Sequence, residues 1–116
     1  MIRYGKDMVR EVKERLREGK GEVEIVHAFT REELTGKARL CALIRIPPGN
    51  SIGYHPHVGE EEIYYILRGQ ATVNDNGNIQ VVGPGDAVLT GGGASHSIEN
   101  TGEETLEFFA VILLYA

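Results

Sequence analysis

The amino-acid sequence predicts an all-β domain, a sandwich or barrel of short antiparallel strands, preceded by a short N-terminal helix. Three observations carry this reading. Beyond residue 37 the chain is a series of short apolar-rich runs at close spacing, separated by turn residues. Asn76-Gly77 stands between two such runs, and both residues tolerate the positive φ of a type I′ hairpin turn. With 116 residues, 41% of them hydrophobic, the chain has room for one core and one domain.

Residues 1–36 read as a helix and arm, and residues 37–116 as the barrel. Asp7 can cap a helix that runs to Glu18, with Met8, Val9, Val12 and Leu16 as a narrow apolar stripe. Glu11 and Arg15 are spaced to pair along it, and Gly19 and Gly21 end it. Val23, Ile25 and His27 alternate with their neighbours as a strand, and Thr30 to Glu33 reads as a capping box opening a turn. Ala38, Leu40, Ala42, Ile44 and Ile46 then share one face at period two, and Pro47-Pro48-Gly49 stops that strand. Ile63–Leu67, Ala71–Asp75, Asn78–Val82, Ala87–Thr90, Ser95–Glu99 and Thr105–Tyr115 supply the remaining strands.

The last of these is apolar on both faces from Phe108 to Tyr115, so its outer face needs cover. Either the N-terminal segment or a second subunit can provide it, and an exposed apolar surface favours a homodimer.

Charge narrows the partners. Residues 1–20 carry seven basic and four acidic side chains, and the remaining 96 carry five and thirteen. An acidic body repels nucleic acid, whose binding rests on phosphate contacts, and the mixed charges of the first twenty residues read as a solvated face. The uncharged run Phe108–Ala116 is far short of the ~20 residues of a membrane helix, and the first residues lack the apolar stretch of a signal peptide. No nucleic-acid or membrane partner is expected. The single cysteine, Cys41, excludes an internal disulfide; it reads as a small buried residue, and a reducing cytoplasm is the expected compartment.

The candidate chemistry lies in the histidines. His55 and His57 are two apart, and in an extended segment such residues point to the same side. Glu60-Glu61-Glu62 follows at the start of a strand, and His96 lies on a distant one. Imidazoles beside carboxylates make a mixed nitrogen–oxygen donor set, though each residue taken singly also fits an ordinary surface or core role. His27 has no such company. Tyr64, two residues after Glu62, should point inward with it. Strand parity leaves open which way Arg45 points.

These residues fall into two motifs. Gly49, His55, His57, Glu62 and Gly69 are spaced as glycine, five residues, His-x-His, four residues, glutamate, six residues, glycine. Gly85, Gly91, Gly93, His96 and Asn100 follow as glycine, five residues, x-x-glycine, two residues, histidine, three residues, asparagine. In both motifs the chain resembles a small single-domain cupin, with Gly91 where that family usually has proline. The stretch Tyr-His-Pro-His through Glu-Glu-Ile-Tyr-Tyr-Ile-Leu-Arg-Gly is similar to the small oxalate decarboxylase-like cupins.

The resemblance implies an antiparallel double-stranded β-helix, or jelly-roll, barrel. It implies His55, His57, Glu62 and His96 as ligands to a divalent transition metal: Mn or Fe first, with Zn, Ni, Co or Cu able to fill the same donors. Glu60 and Glu61 remain solvated acids in that reading. A small carboxylate or sugar-like molecule is the expected ligand, bound by a catalyst or by a non-catalytic carrier or sensor. Tyr64 is the candidate catalytic residue, as hydrogen-bond donor or general acid, or else a packed aromatic.

Overall fold

Two antiparallel sheets carry the chain, described here from a computed structural model covering residues 1–116. In chain order the strands are β1 (Val9–Glu14), β2 (Glu22–His27), β3 (Ala38–Ile46), β4 (Ser51–Pro56), β5 (Glu60–Arg68), β6 (Ala71–Asp75), β7 (Asn78–Val82), β8 (Ala87–Gly91), β9 (Ser95–Asn100) and β10 (Leu106–Leu114). The larger sheet runs β1-β2-β3-β10-β5-β8 and the smaller β4-β9-β6-β7. The only helical elements are single turns of 3-10 helix, and no helix is long and apolar enough to cross a membrane. The core lies between the sheets. Ala42, Ile44 and Ile46 of β3, Phe108 and Ala110 of β10, and Tyr64 and Ile66 of β5 meet Ile52, Val73 and Ile98 of the smaller sheet.

The local turn chemistry acts as the residues dictate. Asn76 and Gly77 take φ of 50° and 96° and connect β6 to β7 with Asp75 opposite Asn78. Thr30 and Glu33 form the reciprocal capping box on a 3-10 turn at Arg31–Glu33. Asn100 is buried and ties the chain at the far end from the histidines, donating to the carbonyls of Ile46 at 2.7 Å and Glu104 at 2.8 Å.

The N-terminal helix expected over Asp7–Glu18 is replaced by a strand. β1 pairs with β2 from Val9 opposite His27 to Glu14 opposite Glu22. Two physical reasons decide it. Helices in proteins owe most of their stability to packing of an apolar face, and here Val9 and Val12 stay 54% and 57% exposed, so the middle of the stripe finds nothing to bury against. The open edge of β2 meanwhile offers a full ladder of hydrogen bonds. Arg15, Arg17 and Glu18 then take left-handed φ of 51°, 53° and 64°, which no α-helix accommodates. Glu11 accordingly meets His27 across the strand pair, at 2.7 Å, rather than Arg15.

The doubly apolar strand β10 sits centrally between β3 and β5. Phe108, Ala110 and Ile112 face the core. On the opposite face Leu113 is exposed, as are Tyr65 and Leu67 of β5 and Leu89 of β8. β1 lies in the plane of the same sheet, beyond β2 and β3, so the N-terminal segment does not lie across β10. Cys41, opposite Val111, also belongs to this outer face and is half-buried, less enclosed than expected; burial raises its pKa and keeps the thiol protonated. Arg45 is turned away from the core and is held by Glu107 at 2.7 Å and Glu24 at 3.0 Å.

Candidate metal centre

His55, His57, Glu62 and His96 converge between the sheets, all four buried, each offering a ligand atom within 4.8 Å of the others. The fold brings them from two sheets. His55 of β4 lies opposite His96 of β9, and Glu62 comes from β5. The register slips between Ile52 and His55, so Ile52 and His55 both face inward although they are three apart. His57 follows at the period-two position just past the end of β4. His57 Nε2 lies 3.2 Å from His55 Nε2 and 3.0 Å from His96 Nε2. Glu62 Oε1 is 3.0 Å from His57 Nε2 and 3.1 Å from His96 Nε2.

The outer nitrogens explain why the inner ones are free to ligate. His55 Nδ1–H donates to the Gly53 carbonyl at 2.6 Å, and His57 Nδ1–H donates to Glu60 at 2.5 Å. Each bond leaves Nε2 as a lone-pair donor aimed at the common point. His96 Nδ1 is buried without a partner, and its ring is stacked on Tyr64 at 4.9 Å between centroids. Three imidazole nitrogens facing one another with a single carboxylate oxygen do not satisfy each other by hydrogen bonds alone. They fit a divalent transition metal, which takes nitrogen and oxygen donors together.

Electrostatics support the same arrangement. Burial, chiefly, drives the His55 pKa down to about 4, with the Arg17 charge among the smaller contributions. Burial also pushes down on His57, but the Glu62 and Glu60 carboxylates outweigh it and the net shift is upward. Glu62, despite burial acting to raise it, is held at about 2 by His57 and His96.

Glu60, which the sequence reading leaves as a solvated acid, belongs to the centre. Arg39 of β3 grips it with two parallel bonds of 2.8 Å and, chiefly, lowers its pKa to about 2. A chain of contacts thus runs Arg39–Glu60–His57. The signal for Glu60 is its place three residues after His57; Arg39 has none in the sequence, because its partner lies 21 residues away.

Tyr64 points inward as expected, fully enclosed against Phe108, with its hydroxyl 3.3 Å from His96 Nε2. Burial first, and Glu62 second, raise its pKa well above the usual 10, so it stays a neutral hydrogen-bonding group. His55, His57 and Glu62 open onto a pocket of about 170 Å³, and His96 lies buried beside them. Ile25, Leu40, Ile44 and Ile52 form its apolar wall, and Leu16 and Arg17 stand among its lining residues. Ile46, Ile66, Ile98 and Val88 pack elsewhere, in or against the core.

Comparison with known proteins agrees with this geometry. The cupin domain family matches residues 42–112. An oxalate-binding protein of Thermotoga maritima is 52% identical over 99 residues, covering 85% of this chain and 82% of that one. The crystal structure of a predicted oxalate decarboxylase from Thermotoga maritima superposes with a TM-score of 0.93 at 47% identity, covering 98% of this chain and 99% of the other. The Schizosaccharomyces pombe Cnp3 cupin domain shares the fold, with a TM-score of 0.73 at 14% identity over 90% of this chain and 68% of that one. The chain belongs to the cupin family.

Proposed function

We propose that this cupin binds a small carboxylate of the oxalate type at a divalent transition metal held by His55, His57, Glu62 and His96. The convergence of three Nε2 atoms and Glu62 Oε1 at the floor of a small pocket carries the reading. Mn or Fe is favoured, and Zn, Ni, Co and Cu suit the same donors. When bound, the metal supplies a Lewis acid for carboxylate oxygens. The oxalate-binding protein that is 52% identical supports the ligand class.

A binding role is favoured over a catalytic one by the pocket's own residues. Its lining titratable groups are Arg17, Arg39, His55, His57, Glu62 and Tyr64. Three of these are proposed metal donors, two are guanidinium groups, and the phenol of Tyr64 is held protonated. None besides the donors is tuned to exchange a proton near neutrality. If the protein does act on its ligand, Tyr64 is the group placed to give a hydrogen bond to it. Elemental analysis of natively loaded protein, followed by calorimetric titration of oxalate into loaded and metal-stripped samples, tests the proposal. Binding that requires metal is expected; equal binding without metal, or none with it, overturns the reading, and release of carbon dioxide during titration favours the enzyme.

We also propose that two copies pair through the outer face of the larger sheet, where Tyr65, Leu67 and Leu89 are about half exposed. Sedimentation at micromolar concentration should give a dimer, and a monomer there refutes it. A reducing cytoplasm remains the proposed compartment, on the single cysteine alone.

A further inference from the structure

We infer that Arg17, on the turn between β1 and β2, binds the second carboxylate of a dianionic ligand and so makes the pocket selective for small dicarboxylates. This rests on the metal-and-carboxylate reading above and adds the ligand's charge and size.

Two guanidinium groups line the pocket. Arg39 is already paired, bidentate, with Glu60. Arg17 makes no hydrogen bond and no ion pair, although Glu14 and Glu18 are near it in sequence. Arg17 is solvent-exposed, so its guanidinium is free to meet an anion entering the pocket that it lines.

Its backbone is built to hold that place. Arg17 takes φ 53° and ψ 37°, in the left-handed region that L-residues avoid, and such backbone persists only where its surroundings impose it. Here the turn lies backbone to backbone on β4. Lys20 N–H donates to Ser51 Oγ at 2.9 Å, and Ser51 N–H donates to the Lys20 carbonyl at 2.9 Å. A Cβ on Gly53 would stand 1.9 Å from the Arg17 carbonyl oxygen, and one on Gly19 would stand 2.2 Å from the Ser51 carbonyl oxygen. Only glycines allow the approach. The Gly53 carbonyl in turn accepts from His55 Nδ1. The same residue thus seats the Arg17 turn and orients a metal donor, which sets the Arg17 backbone at a fixed place beside the metal centre.

Charge then selects the ligand. Three neutral imidazoles and the Glu62 carboxylate around a divalent ion leave one net positive charge. Arg39 and Glu60 cancel, and Arg17 adds a second positive charge. A dianion with its two carboxylates a few ångströms apart matches both. A pocket of about 170 Å³ holds roughly the volume of five or six waters, which limits the ligand to a small acid.

The test uses the full chain loaded with Mn and titrates oxalate against glycolate, which keeps the two-carbon frame but has one carboxylate. R17Q should weaken oxalate binding by about 10-fold or more, the scale of one lost charge-assisted hydrogen bond. Glycolate should change by less than about 2-fold, Mn content should not change, and R17K should fall between wild type and R17Q. Unchanged oxalate affinity in R17Q, an equal loss for both acids, or a loss of Mn each overturns the inference while leaving the metal-and-carboxylate reading standing. If loaded wild type binds neither acid, that reading fails and this inference falls with it.

Discussion

The pocket has two walls with different origins. One is the donor wall, His55, His57 and Glu62 with His96 buried beside them, which lies within the segment matched by the cupin family. The other is built by Leu16, Arg17, Ile25, Arg39 and Leu40, all of which precede that segment. The donor wall is buried and locked by short local bonds, such as His55 to Gly53. The other wall mixes apolar side chains with two arginines, and it depends on an N-terminal segment that pairs into the larger sheet. The difference predicts that metal binding and ligand choice are separable in this molecule. Changes to the first wall should abolish metal binding; changes to the second should alter what binds and leave the metal in place.

The largest expected effect is on the donor wall. H57A or H96A should lose metal to the limit of elemental analysis. H57A should also cost roughly 3–5 kcal/mol in chemical denaturation of the metal-free protein, where a protonated His57 pairs with the buried Glu62 carboxylate. Undiminished metal in both variants would merge the two walls and end the comparison.

Of the donor wall, spacing alone brought out the His-x-His pair; Glu62 rather than Glu61, and His96 34 residues further on, were implied by the resemblance to the cupin motifs. His-x-His needs only period two. The hairpin at Asn76-Gly77 and the capping box at Thr30 were readable for the same reason: each is decided within four residues. The other wall was not. β1 carries a helix-like stripe whose outcome depends on an open edge at β2, a non-local fact. Arg39 meets Glu60 from two strands away, across β10. Arg17 reaches the pocket only because Gly19 and Gly53 let two backbones touch.

A smaller effect sharpens the boundary between the walls at Glu60, which belongs to both. E60Q keeps an oxygen to accept from His57 Nδ1 but removes the charge that Arg39 holds. Metal affinity should fall by about 10- to 100-fold. The pH dependence has a definite sign. Metal uptake requires His57 Nε2 to be unprotonated, and Glu62 and Glu60 raise the His57 pKa above 6.5. Uptake by wild type should therefore weaken as pH falls through a value above 6.5. Removing one of the two carboxylates should move that midpoint to lower pH. Loading curves of E60Q that overlay wild type at every pH would make the Arg39–Glu60–His57 chain a packing feature alone.

The smallest effect is expected at Tyr64, which stands against the donors without being one. Its hydroxyl is 3.3 Å from His96 Nε2, a long contact, while its ring stacks on His96 and packs on Phe108. Y64F keeps both ring contacts, so metal content and thermal midpoint should stay near wild type. A neutral hydrogen bond lost from the ligand would cost about 2- to 10-fold in oxalate affinity. Because the phenol stays protonated far above neutrality, that loss should be flat from pH 6 to 9. An unchanged titration would assign Tyr64 to the core, and a loss of metal would assign it to the donor wall. Only the flat, ligand-specific loss places its hydroxyl on the ligand's side of the pocket, where a donated hydrogen bond adds to the choice of acid without touching the metal.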